Sequence, residues 1–235
     1  MSTTNREIKF YLTDESSCNY LSNRQQQSIV VDPKLQLTSP LYSLLAANGF
    51  RRSGDIAYRP QCVHCQACLS LRIPVSQFKP SRTHLRTMKK NEHLTVRPQP
   101  AEFKHEHFDL YCKYLSLRHP GSSMCHPSVD EYKNFLISLD VDTIFYEFRQ
   151  QEELVAVAVT DLLDHGLSAV CTFYDPNHLE KSLGTYAILW QCQQTKNMNL
   201  PWLYLGYWVK ECEKMAYKSK FKPAEVFQND TWQPI

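Results

Sequence analysis

Leu69, Leu71, Ile73 and Val75 alternate with Ser70, Arg72 and Pro74, the two-residue period of a strand with one face buried. β-branched and aromatic runs predict further strands over residues 8–13, 28–31, 55–59, 143–149, 154–163, 167–174 and 202–205. Asp164-His165-Gly166 is a hairpin turn between two of these. Helix signals lie between the strands. Ser39-Pro40 opens a helix over 41–48 that closes at Gly49, and Ser81 caps one running to about residue 92. A helix over 101–119 ends at Pro120-Gly121, and the capping box Ser128-x-x-Glu131 starts another, to about residue 139. Residues 182–198 form a long helix, and residues 209–218 are expected to form a closing one.

The Pro-rich stretch from Val96 to Pro100 is extended and places a domain boundary near residue 99. Residues 1–98 then form a small basic N-terminal domain containing cysteines, and residues 99–235 a second domain. The second half reads helix–helix–β–β–β–helix–β–helix, an α/β (α+β) arrangement on a mixed, largely antiparallel sheet. GNAT-type acyltransferases share this order, which is an analogy of fold.

Charge sharpens the picture. Residues 51–97 hold ten Arg and Lys against only Asp55 and Glu92, in a chain whose formal total is +2. Such polarity suits a polyanionic partner on one side of the molecule. The apolar run 154–159 is far shorter than a membrane span, and the N-terminus lacks the apolar core of a secretory signal. Nine cysteines, five of them scattered (Cys112, Cys125, Cys171, Cys192, Cys212), fit reduced thiols and a cytoplasmic protein.

Five groups of residues carry candidate chemistry. Cys62, Cys65 and Cys68 at three-residue spacing, with Cys18 as a distant fourth thiolate, suit zinc or an iron–sulfur cluster, with His64 a substitute ligand. They equally suit reduced thiols in a stiff loop. Arg82, Arg86, Lys89 and Lys90 fall on one helical face with few acids nearby, which favours phosphate binding over a merely solvated face. Lys210, Lys214, Lys218 and Lys222 repeat every four residues as a second basic stripe, for solubility or for anion contact. Tyr174-Asp175-Pro176 followed by Ser182-Leu-Gly184-Thr185 is a strand end, a turn and a helix start, with Ser182 the expected cap and Gly184 leaving room for close approach of a ligand or another chain. Tyr204, Gly206, Tyr207 and Trp208 place aromatics around a glycine, as core or as the lining of a slot.

Taken together, these strings resemble the aminoacyl-tRNA–protein transferases, most closely the bacterial aspartate/glutamate leucyltransferases. The resemblance is carried by Phe10-Tyr-Leu-Thr13 with Cys18-x-Tyr20-Leu21, Tyr58-Arg-Pro-x-Cys62-x-x-Cys65-x-x-Cys68, Phe173-Tyr-Asp-Pro176 with Ser182-Leu-Gly-Thr-Tyr186, and Tyr204-Leu-Gly-Tyr-Trp208 through Cys212, Lys214, Met215 and Tyr217-Lys218 to Phe221-Lys-Pro223. It spans almost the whole chain. Where eukaryotic arginine-transferring relatives carry a second cysteine, this chain has Leu21.

The resemblance implies a GNAT-like catalytic domain that moves leucine from leucyl-tRNA to the N-terminal amine of proteins beginning with Asp or Glu, marking them for N-end-rule degradation. Arginyl transfer to the same acceptors, or coenzyme A-dependent N-acetylation, are the alternatives, with a non-enzymatic RNA-binding or redox-sensing protein as a third. The chemistry requires no cofactor, because the donor ester is already activated. The expected roles follow. Tyr174, Asp175, Ser182, Gly184 and Thr185 frame the reacting centre. The aromatics Tyr204–Trp208, with Gly206, hold the terminal adenosine or the leucyl side chain, and Tyr58 joins the substrate-binding set. Arg59, Arg72, Lys218 or Lys222 meets the acidic acceptor residue. Arg82, Arg86, Lys89 and Lys90 hold tRNA phosphates.

Overall fold

The structure, a computed structural model, describes residues 7–118 and 125–235, so the Pro120-Gly121 stop lies outside the described residues. The chain begins with β1 (Phe10–Leu12), β2 (Ser16–Ser17), β3 (Gln25–Gln26) and β4 (Ser28–Val31). Helix α1 (Ser39–Ala47), β5 (Arg51–Ser53), β6 (Ile56–Pro60) and β7 (Leu69–Pro74) come next, then α2 (Arg82–Asn91) and β8 (Thr95–Pro100). Helices α3 (His105–Arg118) and α4 (Val129–Leu136) lead to β9 (Thr143–Gln150), β10 (Glu153–Leu163) and β11 (Gly166–Tyr174). A 3-10 turn (Pro176–Lys181), α5 (Leu183–Asn197), β12 (Trp202–Trp208), a second 3-10 segment (Glu213–Lys220), β13 (Glu225–Gln228) and β14 (Thr231–Pro234) complete the chain.

Eight strands form one mixed sheet in the order β14-β13-β7-β12-β11-β10-β9-β8. Within it β11 and β12 run parallel, and the other neighbours are antiparallel. Strand β10 is buried on both faces, which explains its unbroken apolar run. Ala156 and Ala158 pack with Leu183 and Ala187 of α5, while Val157 and Val159 pack with Leu110, Tyr111 and Leu115 of α3 and Tyr132 and Leu136 of α4. The small side chains on the α5 face let that helix lie close to the sheet.

β1, β4, β6 and β5 form a separate antiparallel sheet. The two halves of the chain are nevertheless interleaved. Strand β7 comes from the first half and sits between β13 and β12 of the second, and the expected boundary near residue 99 falls inside β8, paired to β9. One core cluster mixes Tyr42, Leu45 and Ala57 with Val141, Leu163 and Tyr204.

The expected helix over 209–218 is not formed. That stretch is a turn and a 3-10 segment, so the four lysines do not make a stripe. Lys218 is drawn into the interior by backbone carbonyls, and Lys222 is exposed beside Pro223. The two closing strands, β13 and β14, were not anticipated.

Candidate active site

β11 and β12 pair only from Gly166 to Ser168 against Trp202 to Tyr204, and then diverge. A crevice of roughly 680 Å³ opens where they part, lined by Val170, Cys171, Thr172 and Tyr174 of β11, Leu205 of β12, and Ser182, Gly184 and Thr185 at the start of α5. Diverging strands leave unpaired backbone polar groups, which need partners. Two cations supply them. Arg51 of β5 donates from Nη2 to the Val170 carbonyl, and Lys218 donates from Nζ to the carbonyls of Leu205 (2.8 Å) and Tyr207 (2.6 Å). Gly206 makes room for Arg51: its φ is +70°, and a Cβ there would stand 2.6 Å from the Arg51 guanidinium. Lys218 is 6 % exposed, and burial, reinforced by Arg51, lowers its pKa to about 7. Burial pushes the Cys171 thiol up to about 11.

Tyr114 and Arg118 of α3, with Lys214 and Tyr217, complete the lining, and the exposed Arg118, Lys214 and Tyr217 mark its mouth. The Tyr114 and Tyr174 rings meet edge to face at 4.9 Å. The close approach permitted by Gly184 belongs to Tyr174, whose ring lies 3.1 Å from where a Cβ would be. Ser182 does not cap α5 with its hydroxyl. It adopts a left-handed conformation (φ 53°, ψ 46°) and makes no side-chain cap bond, because the chain must turn sharply out of the 3-10 segment. The first intrahelical bond runs from Tyr186 N–H to Ser182 O (3.0 Å), which leaves Gly184 and Thr185 N–H without a partner among the described residues, at the edge of the crevice.

Asp175 does not line the crevice. It is buried, accepts from Lys113 Nζ (2.7 Å) and Asn177 N–H (2.8 Å), and caps the 3-10 turn. Burial pushes its carboxyl up, but these two donors outweigh burial and hold it below its ordinary range. Arg72 is spent on Glu225 and on the faces of Trp202 and Trp232, 3.6 and 4.1 Å from their centroids. Tyr204 is core, and Trp208 packs on the apolar cluster around Leu71 and Leu203. Lys222 does not line the crevice. The structure therefore brings Tyr174, Ser182, Gly184, Thr185 and Lys218 together and leaves Asp175, Arg72, Tyr204, Trp208 and Lys222 outside.

The basic segment is partly consumed by the fold: Arg52 is buried, Arg51 is half-buried with its guanidinium bonded to the Val170 carbonyl, and Arg97 pairs with Glu152. Arg82, Arg86, Lys89 and Lys90 remain exposed on α2. That helix opens with a capping box in which Ser81 accepts from His84 N–H (3.2 Å) and the His84 ring accepts from Ser81 N–H (3.4 Å). Its last turn is tied to the crevice rim, with Lys90 donating to Glu180 O and Asn91 to Lys181 O, each at 2.8 Å. The basic face thus flanks the crevice.

The family descriptions "arginine-tRNA-protein transferase, N terminus" and "C terminus" match residues 16–86 and 106–228. The chain belongs to this family. It is 46 % identical to an aspartate/glutamate leucyltransferase of Hahella chejuensis over 98 % of both chains. Proteins of the same name from Alcanivorax borkumensis (46 %; 96 % of this chain and 93 % of that one) and Pseudomonas aeruginosa (45 %; 96 % of each) are equally similar. Among solved structures, a lysylphosphatidylglycerol synthetase C-terminal domain from Agrobacterium fabrum aligns with a TM-score of 0.49 at 12 % identity, over 72 % of this chain and 58 % of that one.

The family's cysteine motif lines a second cavity, of roughly 660 Å³, with Cys18, Cys62, Cys65 and Cys68 on its wall beside Tyr58, Arg59 and Tyr207. Burial, and then the neighbouring thiols of Cys62, Cys18 and Cys65, push Cys68 up to about 12. A single zinc ion bonded at about 2.3 Å to four sulfurs would hold them about 3.8 Å apart. Among the described residues, Glu153, Asp175 and His178 are the one trio of metal-ligating side chains within 4.8 Å of one another, and no three of the four sulfurs come that close together. Cys65 instead accepts from Arg24 (3.1 Å), and Cys62 donates to Gln27 O (3.6 Å).

Sequence reasoning missed Arg51, Tyr114, Arg118 and Tyr217 of the crevice. Arg51 was readable only as one charge among ten, and Tyr114 and Arg118 only as one face of a helix.

Proposed function

We propose that this protein transfers leucine from leucyl-tRNA to the N-terminal α-amine of proteins that begin with Asp or Glu. Full-length relatives bearing the name of that activity support the choice of donor and acceptor. On the geometric side, the parting of β11 and β12 carries the reading, because it opens a lined crevice beside free helix N–H groups. The ester of an aminoacyl-tRNA is an activated acyl donor, so the enzyme must position an amine, stabilise an oxyanion and let the ribose oxygen leave. Gly184 and Thr185 N–H are suited to the oxyanion, at the positive end of the α5 dipole. The acceptor's α-amine, with a pKa of about 8, is partly neutral at cell pH. Arg118 and Lys214 at the mouth are suited to an acidic first side chain. The exposed cations of α2 would grip the tRNA backbone alongside. No step calls for a cofactor.

The test is transfer of radiolabel from Leu-tRNA or Arg-tRNA to peptides beginning with Asp, Glu, Arg or Ala. Label from Leu-tRNA on the Asp and Glu peptides alone is expected. Label from Arg-tRNA only, or acyl transfer from acetyl-coenzyme A without tRNA, would overturn the reading.

A further inference from the structure

We propose that Lys218 is the proton carrier of the transfer step, accepting the proton that the attacking nitrogen sheds and delivering it to the departing ribose oxygen. This inference rests on the transferase reading above. The acceptor enters as a neutral amine. Its nitrogen bonds to the leucyl carbonyl carbon and the ester C–O bond breaks. The proton lost by nitrogen passes to the Lys218 amine and then to the ribose oxygen, so Lys218 ends as it began.

Geometry singles this residue out. Among the described residues, no Asp, Glu or His lines the crevice. The guanidinium groups of Arg51 and Arg118 are donors only and offer no lone pair to a proton. Lys214 is exposed, whereas Lys218 is enclosed and has no carboxylate partner among the described residues. A neutral lysine amine has two N–H bonds and one lone pair. Both N–H bonds can be donated to the carbonyls of Leu205 and Tyr207, beyond the point where β11 leaves β12. What remains for the crevice is the lone pair. The charged and titratable groups around it are Arg51 from β5, Cys171 and Tyr174 from β11, Tyr114 and Arg118 from α3, and Cys212, Lys214 and Tyr217 from its own segment. Of these, Arg51 opposes a second positive charge, and burial does the same, so the neutral form is populated near pH 7.

Lys218 could instead serve only to satisfy two carbonyls, a role arginine can fill. Single-turnover transfer from Leu-tRNA to an Asp peptide between pH 5.5 and 8 separates the two. Wild type should lose rate with two protons below pH 7, one on the acceptor amine and one on Lys218, a limiting log–log slope of 2. Lys218→Arg should fall about 100-fold or more in kcat, the usual range for losing a proton-transfer group, with KM for both substrates unchanged and a slope of 1. A Lys218→Arg enzyme with wild-type kcat and a slope of 2 overturns the proposal. Replacing Lys218 with γ-thialysine, a less basic amine of nearly the same shape, tests it without depending on the folding of the arginine variant. The second inflection should move to lower pH, and an unmoved inflection overturns the proposal. Absence of leucyl transfer by wild type would instead refute the transferase reading itself.

Discussion

Arg52 and Asp161 form a fully enclosed ion pair, with distances of 2.7 Å from Nε and 2.5 Å from Nη2. The same guanidinium bonds the Gly54 carbonyl and the Thr143 hydroxyl, so each of its three nitrogens has an acceptor and the pair is tolerated in the interior. Removing one partner strands a buried charge. Asp161→Asn should therefore cost about 3–5 kcal/mol in urea unfolding, and the joint Arg52→Met, Asp161→Leu variant should recover part of that loss. No local pattern reveals this pair, because its members lie 109 residues apart. The isolated cysteines were legible as reduced thiols, and they make a second prediction. Burial raises Cys192 to about 12 in the folded state, whereas an unfolded thiol ionises near about 8.5. A raised pKa contributes stability that is complete below about 8.5 and is lost as pH climbs toward the folded value. Between pH 9 and 11, Cys192→Ala should make the decline in unfolding free energy shallower by about 1.4 kcal/mol per pH unit. An unchanged slope would show that this thiol ionises freely in the fold.

Elements whose signals are local were legible. The caps of α2 and α4, the β10–β11 hairpin and the strand β7 all appear where the sequence places them, but burial along β7 does not alternate, because Ser70 and Pro74 are buried together with Leu71 and Ile73. Helix α2 carries a measurable expectation: Arg82→Glu with Arg86→Glu should weaken tRNA binding at low salt and reduce the log–log salt slope by about 0.7–0.9 for each phosphate that the variant no longer neutralises. Unchanged affinity and slope would remove α2 from the interface. The C-terminal segment was misread because a four-residue lysine spacing imitates a helix face, while tertiary bonds to β12 decide its path. Gly206 was noticed as a glycine among aromatics, but its purpose depends on Arg51, which is far away in sequence. Gly206→Ala should destabilise the protein by about 1–3 kcal/mol, measured by thermal melting, because the residue needs a positive φ and the guanidinium occupies the Cβ position.

At the scale of the whole molecule, composition and element order conveyed a mixed, mostly antiparallel α/β sheet. They could not convey that β7 is inserted between β12 and β13, because strand pairing across distant segments leaves no periodic trace. The Pro-rich stretch looked like a linker, yet it is an edge strand, a place where proline's missing N–H is tolerated. Residues 99–235 expressed alone should lack a cooperative melt, since β12 and β13 lose their common neighbour and the Tyr42–Tyr204 core is split. A cooperatively melting fragment would show the second half to be an autonomous domain. The central claim is that the leucyl group is held where β11 and β12 part. Its most direct test is photo-crosslinking with tRNA charged with a diazirine analogue of leucine, followed by mapping of the labelled peptides. The account predicts adducts on β11 and the start of α5, around Thr172, Tyr174 and Thr185; adducts confined to the cysteine-lined cavity around Tyr58 and Cys62 would contradict it.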